Sequence, residues 1–538
     1  MSATRTHRIE VQWQDLFKPV QGLKTGPRED PLTNEIVVIP EIVPIVFVPG
    51  IMGSRLKYAT GKNHKAWDPD SPGMMVSKYG IYCPPDRRKA SLVGKQSHQK
   101  DYLRVDRDSK KVPQDKKGLG WDGVAWDFYG NILKILANNT WPDLINVCFD
   151  LPVYAFGYNW TCSNHDSGRE LSKFIDAVIE ENNTWTVCRQ VILVTHSMGG
   201  LVARSACKLH GAESKVLGVV HGAQPAYGAP AAYQRMKHGF RDLNGSMWDW
   251  LVKPVDKIAQ RVLGNNGKAV TILLANMPGG LELLPNQLYT TNDGSAQWLH
   301  CTDHRGAQVA LPRSDPYSEI YEEQDAAWRL VNPKWLSGDK VTNKGKQHEQ
   351  EELDPWNNNY TTNLSKAQNF HTKLAGYVHN ETYQFYATGI HTADRVLIGY
   401  RKHMGQHLSY LKSSEGKIYF DLRDDQNRPI DPEEDPWLDD PMMAERSPWV
   451  NQTIYAYNIT PPTGLGDGTV PDSSGRALPA KPQSYTKGPD GTVEINDGDE
   501  KAAGRSHDKI YNTRTAQQIT LKAIENLCKF KIKKETGI

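Results

Sequence analysis

Val191-Ile-Leu-Val-Thr-His-Ser-Met-Gly-Gly200 runs directly into Leu201-Val-Ala-Arg-Ser-Ala-Cys207. Its four apolar, mostly β-branched residues predict a buried strand, and the small residues that follow predict a sharp turn into an amphipathic helix. Ser197 lies on that turn, which would lift its hydroxyl clear of the sheet. Gly199 and Gly200 would keep side chains away from the closest approach of helix and strand. This pattern is typical of a nucleophile elbow; the alternative is a buried strand–turn–helix unit with an incidental serine.

The elbow departs from the usual pattern at one position. An α/β-hydrolase elbow reads G-x-S-x-G, and Thr195 stands where the first glycine belongs. A β-branched side chain at that position must be accommodated by local packing. The motif therefore needs support from the rest of the chain.

Composition narrows the class of protein. The chain has 538 residues, a formal net charge of +2 and seven cysteines, with a mean hydropathy of −0.60. No apolar run approaches 18 residues, so no transmembrane helix is predicted. The start lacks the apolar segment of a secretory signal, which predicts a product made in the cytoplasm. Balanced charge argues against nucleic acid as a partner, and scattered cysteines without C-x-x-C spacing predict reduced, structural thiols.

Alternating strand and helix patterns predict a parallel sheet with helical crossovers. A capping-box pattern at Ser167-Gly-Arg-Glu170 predicts the start of a helix over 171–181. The stretch 57–118 is polar and predicts an irregular insertion, and 226–380 is loop-rich and irregular. The predicted strands are 41–48, 151–156, 191–194, 216–221, 382–388 and 453–457, and further helices are predicted at 123–137 and 513–530. The predicted architecture is an α/β-hydrolase core (1–56, 118–225 and 381–538) with a lid insertion (57–117) and a cap domain (226–380).

A serine hydroxyl needs a base, and the base needs an acid that holds its tautomer. In α/β-hydrolases these follow in the order Ser, Asp or Glu, His. Asp467 lies between glycines in Gly464-Leu-Gly-Asp-Gly-Thr-Val-Pro471, with Asp472 as the second candidate acid. Of 17 histidines, His507 alone follows Asp467, and it precedes the terminal helix, where the fold requires the base. His196, beside the serine, is interpreted as structural.

Two backbone amides are predicted to form the oxyanion hole. One is that of Met198, at the start of the helix after the serine. The other should come from the loop after the first apolar strand, Pro49-Gly-Ile-Met-Gly53. We assign it to Ile51, with Met52 as the alternative.

Together these motifs resemble those of the lecithin–cholesterol acyltransferase and PGAP1-like lipases. A segment in the predicted cap also resembles the L-L-P segment of related lipases, namely Pro278-Gly-Gly-Leu-Glu-Leu-Leu-Pro285. The resemblance covers the core, with Asn159 and His391 replacing an acid and a proline of the family pattern. Its segments, in chain order, are Phe47-Val-Pro-Gly-Ile-Met-Gly-Ser-Arg-Leu56, Ala155-Phe-Gly-Tyr-Asn-Trp160, Thr195-His-Ser-Met-Gly-Gly200, Tyr386-Ala-Thr-Gly-Ile-His-Thr392, Gly466-Asp-Gly-Thr-Val-Pro471 and Ser506-His507.

The resemblance implies a serine esterase of lipid acyl chains that needs no cofactor and no metal, with phospholipase A activity as the expectation. Size, the lack of a signal and the insertions also resemble bacterial type VI secretion lipase effectors. That likeness implies phospholipid in a membrane surface as substrate, an immunity protein and a secretion spike component as partners, and delivery to the periplasm or membranes of target cells. A neutral-lipid lipase, an acyltransferase and a GPI inositol deacylase remain alternatives, as does an inactive hydrolase fold that serves as a binding module.

Weaker signals lie in the insertions. An apolar, aromatic stretch around Trp248 and Trp250 fits either a bilayer interface or cap core; its other members are Leu251, Val252, Val255, Ile258, Val262 and Leu263. His300-Cys-Thr-Asp-His304 is too closely spaced for a usual structural zinc site. Gly264-Asn-Asn-Gly-Lys268 lacks the spacing of a phosphate-binding loop. The basic stretch 87–117 is interpreted as a solvated loop.

Overall fold

A computed structural model describes residues 5–25, 32–60, 64–80, 83, 85–93, 102–184, 186–239, 264, 266–336, 354–414, 419–439, 444–479 and 507–537. In chain order the strands are β1 Arg5–Gln12, β2 Leu32–Ile39, β3 Glu41–Ile42, β4 Ile45–Val48, β5 Leu56–Tyr58, β6 Lys65–Trp67, β7 Leu103–Val105, β8 Phe149–Asp150, β9 Val153–Ala155, β10 Val191–His196, β11 Val216–Gly222, β12 Leu299–Thr302, β13 Gln308–Leu311, β14 Thr382–Phe385, β15 Ile390–Thr392, β16 Val396–Met404, β17 Asp421–Arg423, β18 Thr453–Ile459 and β19 Gly464–Gly466.

The helices follow in the same order. They are α1 Pro72–Tyr79, α2 Pro85–Leu92, α3 Gln114–Lys117, α4 Trp126–Asn138, α5 Asp143–Cys148, α6 Asn164–Asn182, α7 Gly199–His210, α8 Pro230–His238, α9 Gly267–Leu274, α10 Pro278–Leu281, α11 Thr361–Leu374, α12 Leu408–Ser414, α13 Asp472–Gly475 and α14 Arg514–Thr536. A 3-10 turn at His507–Asn512 precedes α14. None of the helices in the described ranges has the length and apolar character needed to cross a membrane.

The central sheet has five strands in the order β14-β11-β10-β4-β9, and every neighbouring pair is parallel. Successive residues of β4 point to opposite faces. Val46 and Val48 pack in the cluster that includes α6 and α7 residues, whereas Ile45 and Phe47 pack in the cluster that includes α4 and α14 residues. Helices thus cover both faces, as all-parallel sheets require, and the predicted α/β-hydrolase fold is confirmed.

A second sheet, in the order β13-β12-β16-β18-β17, lies outside this core. Only its β12–β16 pair is parallel. The prediction that the 453–457 strand continues the core sheet is wrong, because β18 pairs with β16 and β17 instead. This sheet combines strands from both sides of residue 380, the boundary predicted between cap and core; the domain boundaries themselves stay predictions.

The insertion 57–117 is more regular than its polar sequence predicts. Strands β5, β6 and β7 form an antiparallel sheet, and α1, α2 and α3 follow within the same stretch. The prediction of an irregular segment is therefore wrong for its described residues. Hydrophilic composition favoured a loop, but cross-strand pairing and buried charges, described below, order the chain.

The predicted start of the 171–181 helix is also wrong. Helix α6 begins at Asn164, with Ser163 as its N-cap, and the Ser163 hydroxyl accepts a hydrogen bond from the His165 amide. Ser163 Oγ in turn donates to Oε1 of Glu282 at 2.5 Å, and the Asn164 amide donates to its Oε2 at 2.7 Å. A carboxyl group 119 residues away therefore helps to set the helix start, which no local pattern reveals.

Glu282 links the segment after α10 to two helices. Its carbonyl accepts a hydrogen bond from Nε2 of His371 in α11 at 2.8 Å. The side chain is fully buried, and burial raises the pKa of its carboxyl group to about 8. The folded protein consequently favours the protonated carboxylic acid at this position.

We expect Glu282→Gln to change how stability depends on pH. Because the folded pKa is raised, the stability that Glu282 contributes is complete below its ordinary pKa of 4.5 and is lost as the pH rises toward 8. Glutamine does not titrate, so the free energy of unfolding of the variant should rise relative to that of the wild type by about 4 kcal/mol between pH 5 and pH 9. Urea denaturation across this range measures the difference. Exposed Glu213→Gln is the control, and a difference that stays constant with pH would contradict the expectation.

Candidate active site

Ser197 lies between the end of β10 and the start of α7. Its φ of 51° falls in the left-handed region, which is costly for a residue with a side chain and persists only where the surroundings enforce it. The Ser197 amide donates to the carbonyl of Gly222 at 2.9 Å, which fixes the turn to the neighbouring strand β11. The strained, buried turn presents the hydroxyl at the carboxyl end of the sheet.

Gly199 allows the helix to approach the neighbouring strand. A Cβ atom at this position would lie 2.4 Å from the carbonyl oxygen of Val48 and 2.5 Å from that of Pro49. Both distances are too short for any side chain, so α7 reaches this depth only with glycine. The close packing places the amino end of α7 against the loop that follows β4.

Thr195 is accommodated by a polar partner. Its side chain is fully buried, and Thr195 Oγ1 lies 2.7 Å from Nδ1 of His221, its register partner in β11. Burial, with smaller effects from Arg204 and His379, lowers the pKa of His221 to about 3, so the ring is neutral. The departure from G-x-S-x-G thus removes a glycine but adds a hydrogen bond between the two strands.

The structure brings Ser197, His507 and Asp467 together. Nε2 of His507 lies 2.7 Å from Oγ of Ser197, and Nδ1 lies 2.7 Å from Oδ2 of Asp467. The His507 side chain is 14% exposed and that of Asp467 is 1% exposed. A hydroxyl, an imidazole and a buried carboxylate in this order form the geometry of a nucleophile, a base and an orienting acid.

Asp467 is held by its own turn. Its Oδ1 accepts hydrogen bonds from the amides of Thr469 at 2.9 Å and Val470 at 2.7 Å, which leaves Oδ2 for the imidazole. The His507 amide also donates to the Asp467 carbonyl at 3.1 Å. Asp472, the second candidate acid, instead accepts from Oγ1 of Thr388 at 2.7 Å, and burial raises the pKa of its carboxyl group.

The loop after β4 lies against the nucleophile. A Cβ atom on Gly50 would approach the Cβ of Ser197 to 2.9 Å. Met52 adopts a φ of 63°, and its carbonyl accepts a hydrogen bond from Nε1 of Trp67 at 2.9 Å. The Gly50 amide donates to Oη of Tyr129. Within the described residues, the amides of Ile51 and Met198 donate to no protein acceptor, so both are available to a ligand.

His196, predicted to be structural, points away from the hydroxyl of Ser197. Its Nε2 lies 2.8 Å from the carbonyl oxygen of His507, and its Nδ1 lies 2.9 Å from Oη of Tyr129. Sequence reasoning did not identify Tyr129, because its place in an amphipathic helix pattern is typical of core packing.

A buried ion cluster, also missed from the sequence, joins loop 49–53 to the insertion; this loop is predicted to supply an oxyanion donor and is called the oxyanion loop. Arg55 follows that loop and is 1% exposed. Its Nε and Nη2 donate to both carboxylate oxygens of Asp68 at 3.0 and 3.1 Å, and Nη2 also donates to Asp106 at 3.0 Å. Trp67, next to Asp68, donates to Met52 as described above. The residues after the loop are therefore fixed to the segment predicted as a lid.

The weaker sequence signals give no second site in the described residues. His300 hydrogen-bonds to the carbonyl of Gln297 at 3.1 Å, and His304 stacks on Tyr455 with ring centroids 4.0 Å apart. The described ranges hold no group of three or more His, Cys, Asp or Glu side chains arranged to bind a metal. The apolar stretch that contains Trp248 and Trp250 lies outside the described residues.

Comparison with known proteins supports the fold. The family model of the PGAP1-like alpha/beta domain matches residues 149–289, a segment that contains Ser197 but neither Asp467 nor His507. A solved Tle4-Tli4 complex is similar, with a TM-score of 0.61 and 23% identity, over 91% of this chain and 99% of that chain. At this identity the likeness supports the fold alone.

Two other solved structures show lower similarity. The mature Bacillus licheniformis lipase BlEst2 has a TM-score of 0.19 and 17% identity, over 46% of this chain and 66% of that chain. Phospholipase PlaB from Legionella pneumophila has a TM-score of 0.17 and 10% identity, over 82% and 83% of the two chains. No curated protein sequence matches this chain. Residues 149–289 are thus similar to the PGAP1-like alpha/beta domain, and the fold of the chain is that of an α/β-hydrolase.

Proposed function

We propose that this protein is a serine esterase that hydrolyses acyl esters of membrane glycerophospholipids, as a phospholipase A does. The observation that carries the proposal is the 2.7 Å contact of His507 with both Ser197 and Asp467. The strained elbow at Ser197 supports it further, as do the lipase-like sequence motifs and the amides of Ile51 and Met198, which have no acceptor among the described residues.

In the proposed reaction, Ser197 Oγ attacks the ester carbonyl carbon while Nε2 of His507 takes its proton. Asp467 holds the imidazole in the tautomer that leaves Nε2 free and stabilises the imidazolium. The amides of Ile51 and Met198 donate to the oxyanion of the tetrahedral intermediate. The intermediate collapses as the lysolipid alkoxide leaves with the proton of His507, which produces an acyl-enzyme.

Water completes the cycle. His507 removes a proton from a water molecule, which attacks the acyl carbon, and a second tetrahedral intermediate releases the fatty acid and regenerates the Ser197 hydroxyl. Each turnover consumes one water molecule and one ester bond. The products are one fatty acid and one lysophospholipid.

We also propose that the protein acts as an effector delivered to other bacterial cells and binds an immunity protein. This part rests on the type VI effector resemblance and on the similarity to a structure described as the Tle4-Tli4 complex.

The test is product analysis on vesicles of phosphatidylethanolamine and phosphatidylglycerol that carry different acyl chains at sn-1 and sn-2. The wild type is expected to release fatty acid and lysophospholipid, and Ser197→Ala is expected to release at least about 10⁴-fold less. Ser205→Ala, a buried serine of α7 away from the triad, is the matched control and should retain wild-type release. Undiminished release by Ser197→Ala would overturn the proposed mechanism.

Parallel substrates separate the alternatives. Cleavage of triacylglycerol but not phospholipid would identify a neutral-lipid lipase. Transfer of the acyl chain to an added alcohol in preference to water would identify an acyltransferase, and release of fatty acid from acylated inositol glycolipid alone would identify an inositol deacylase. A folded wild type that neither cleaves these esters nor reacts with a fluorophosphonate probe would favour a binding module.

A further inference from the structure

A chain of buried hydrogen bonds connects the oxyanion loop to the proposed base. The Gly50 amide lies 3.2 Å from Oη of Tyr129, and this oxygen lies 2.9 Å from Nδ1 of His196. Nε2 of His196 lies 2.8 Å from the carbonyl oxygen of His507. This series of hydrogen bonds contains none of the proposed reacting groups.

The chemistry of each group determines which atom donates each of these hydrogen bonds. Burial, together with the neighbouring His507, lowers the pKa of His196 to about 3, so its ring is neutral and carries one N–H. A carbonyl oxygen can only accept, so that N–H must be on Nε2 and Nδ1 must accept from Tyr129. Burial raises the pKa of Tyr129 far above its usual range, so the phenol keeps its proton. Its oxygen then accepts from Gly50.

Packing leaves these groups little room to move. The Tyr129 ring lies 5.0 Å from that of Phe47, centroid to centroid, and a Cβ atom on Gly53 would approach Tyr129 Oη to 2.7 Å. The ring of His196 lies 5.0 Å from that of His507. Displacement of Tyr129 would therefore affect the loop on one side and His196 on the other.

We propose that Tyr129 and His196 are positioning residues that hold the oxyanion loop and His507 at a fixed separation around Ser197. This inference rests on the proposed function, because it assigns these residues a role in the same reaction. Catalysis needs the base and the oxyanion donors within a few tenths of an ångström of their productive positions. Tyr129 and His196 are buried, at 4% and 3% exposed, and neither is one of the proposed reacting groups.

Tyr129→Phe tests the proposal because it removes one oxygen and retains the ring. The Gly50 amide and His196 Nδ1 would both lose their partner, so we expect kcat for a soluble p-nitrophenyl ester to fall about tenfold, with KM within twofold. The second-order rate of labelling by a fluorophosphonate should fall in parallel. Tyr360→Phe is the matched control, since Tyr360 is equally buried and donates to the carbonyl of Tyr321 at 2.6 Å, outside the site; it should retain wild-type kcat.

A second variant separates positioning from general loss of packing. His196→Asn keeps an acceptor near the position of Nδ1 but cannot reach the His507 carbonyl, so its kcat should also fall about tenfold. If the two residues act through one series of hydrogen bonds, the kcat of the double variant should be little lower than that of either single variant. His196→Gln, whose longer amide can donate to that carbonyl, should recover part of the loss.

Several outcomes would overturn the proposal. One is a wild-type kcat for Tyr129→Phe when its unfolding midpoint equals that of Tyr360→Phe. Another is a change in KM with no change in kcat. A third is a double variant whose loss of kcat is the full sum of the two single losses in free energy. If Tyr129→Phe does not fold, wild-type kcat in His196→Asn would overturn it equally. Failure of the proposed function is distinguished by Ser197→Ala: if that variant retains activity the serine mechanism fails, whereas an inactive Ser197→Ala beside a fully active Tyr129→Phe refutes positioning alone.

Discussion

Replacing His507 with alanine is expected to lower kcat/KM for ester hydrolysis by about 10⁴- to 10⁶-fold, the range found when a member of a serine triad is removed. The imidazole contacts both other members at 2.7 Å. Without it, Ser197 must lose its proton to water, and the leaving alkoxide has no acid to protonate it. The residual rate should come from the oxyanion donors and from substrate binding.

Steady-state kinetics on a soluble ester and on phospholipid vesicles measure this loss. The double variant Ser197→Ala, His507→Ala should be no slower than either single variant, because residues of one catalytic unit contribute non-additively. His407→Ala, which removes an exposed histidine, is the control and should keep wild-type kinetics. A loss below tenfold for His507→Ala would show that another group is the base.

Replacing Arg55 with methionine is expected to lower the free energy of unfolding by about 3 kcal/mol, because it leaves buried carboxylates without their main cation. Asp68 and Asp106 are 3% and 2% exposed. Lys65 stays 2.7 Å from Asp68, and Lys57 stays 3.7 Å from Asp106, so part of each charge remains compensated. Methionine preserves the volume of the aliphatic stem, which isolates the loss of the guanidinium group.

The stability that Asp68 contributes through its contact with Arg55 changes with pH in a defined direction. Burial alone would raise the pKa of Asp68, but hydrogen bonds and charge from Arg55 and Lys65 outweigh it, so the pKa is lowered. A lowered carboxyl pKa contributes stability at pH values above the ordinary 3.8, and that contribution is lost as the pH falls through the folded pKa. The difference between Arg55→Met and the wild type should therefore shrink in acid.

Urea denaturation at pH 7 measures the main effect of Arg55→Met. Lys111→Met is the control: it removes the 2.6 Å ion pair with Asp127, whose partners are 42% and 47% exposed, and should cost less than about 1 kcal/mol. Equal losses in the two variants would contradict a special role for the buried cluster. Arg55 also anchors the residues after the oxyanion loop. We therefore expect the kcat of Arg55→Met to be below that of the wild type at temperatures where the variant is still folded.

The parallel core could be predicted from sequence because it repeats a local signal. Core strands β9, β10 and β11 are short, mostly apolar runs, and each is followed by a helix, so this pattern depends only on neighbouring residues. His507 was identified by a different argument, since chain order left a single histidine after Asp467. The structure places that histidine 2.7 Å from both Ser197 Oγ and Asp467 Oδ2, and its role as the base stays a prediction.

The errors arose where distant residues determine the outcome. Ser163-Asn-His-Asp166 fits a capping pattern as well as Ser167-Gly-Arg-Glu170 does, and the contact with Glu282 favours the first. The apolar strand β18 has the sequence of a core strand, but its partners are β16 and β17. Three-residue strands such as β6 are too short to show a periodicity, and they are ordered by strand pairing and by the Arg55 cluster.

Ser197 and His507 are 310 positions apart in the chain. The contact of His196 with His507 and the turn that holds Asp467 close further long loops at the same site. Closing such loops has an entropic cost that only the completed fold repays. The groups of the proposed reaction therefore meet late, after the core sheet and the terminal helix have docked. Partly folded forms of this chain would lack the assembled Ser197, His507 and Asp467. If the proposed function holds, late assembly restricts ester hydrolysis to the fully folded molecule.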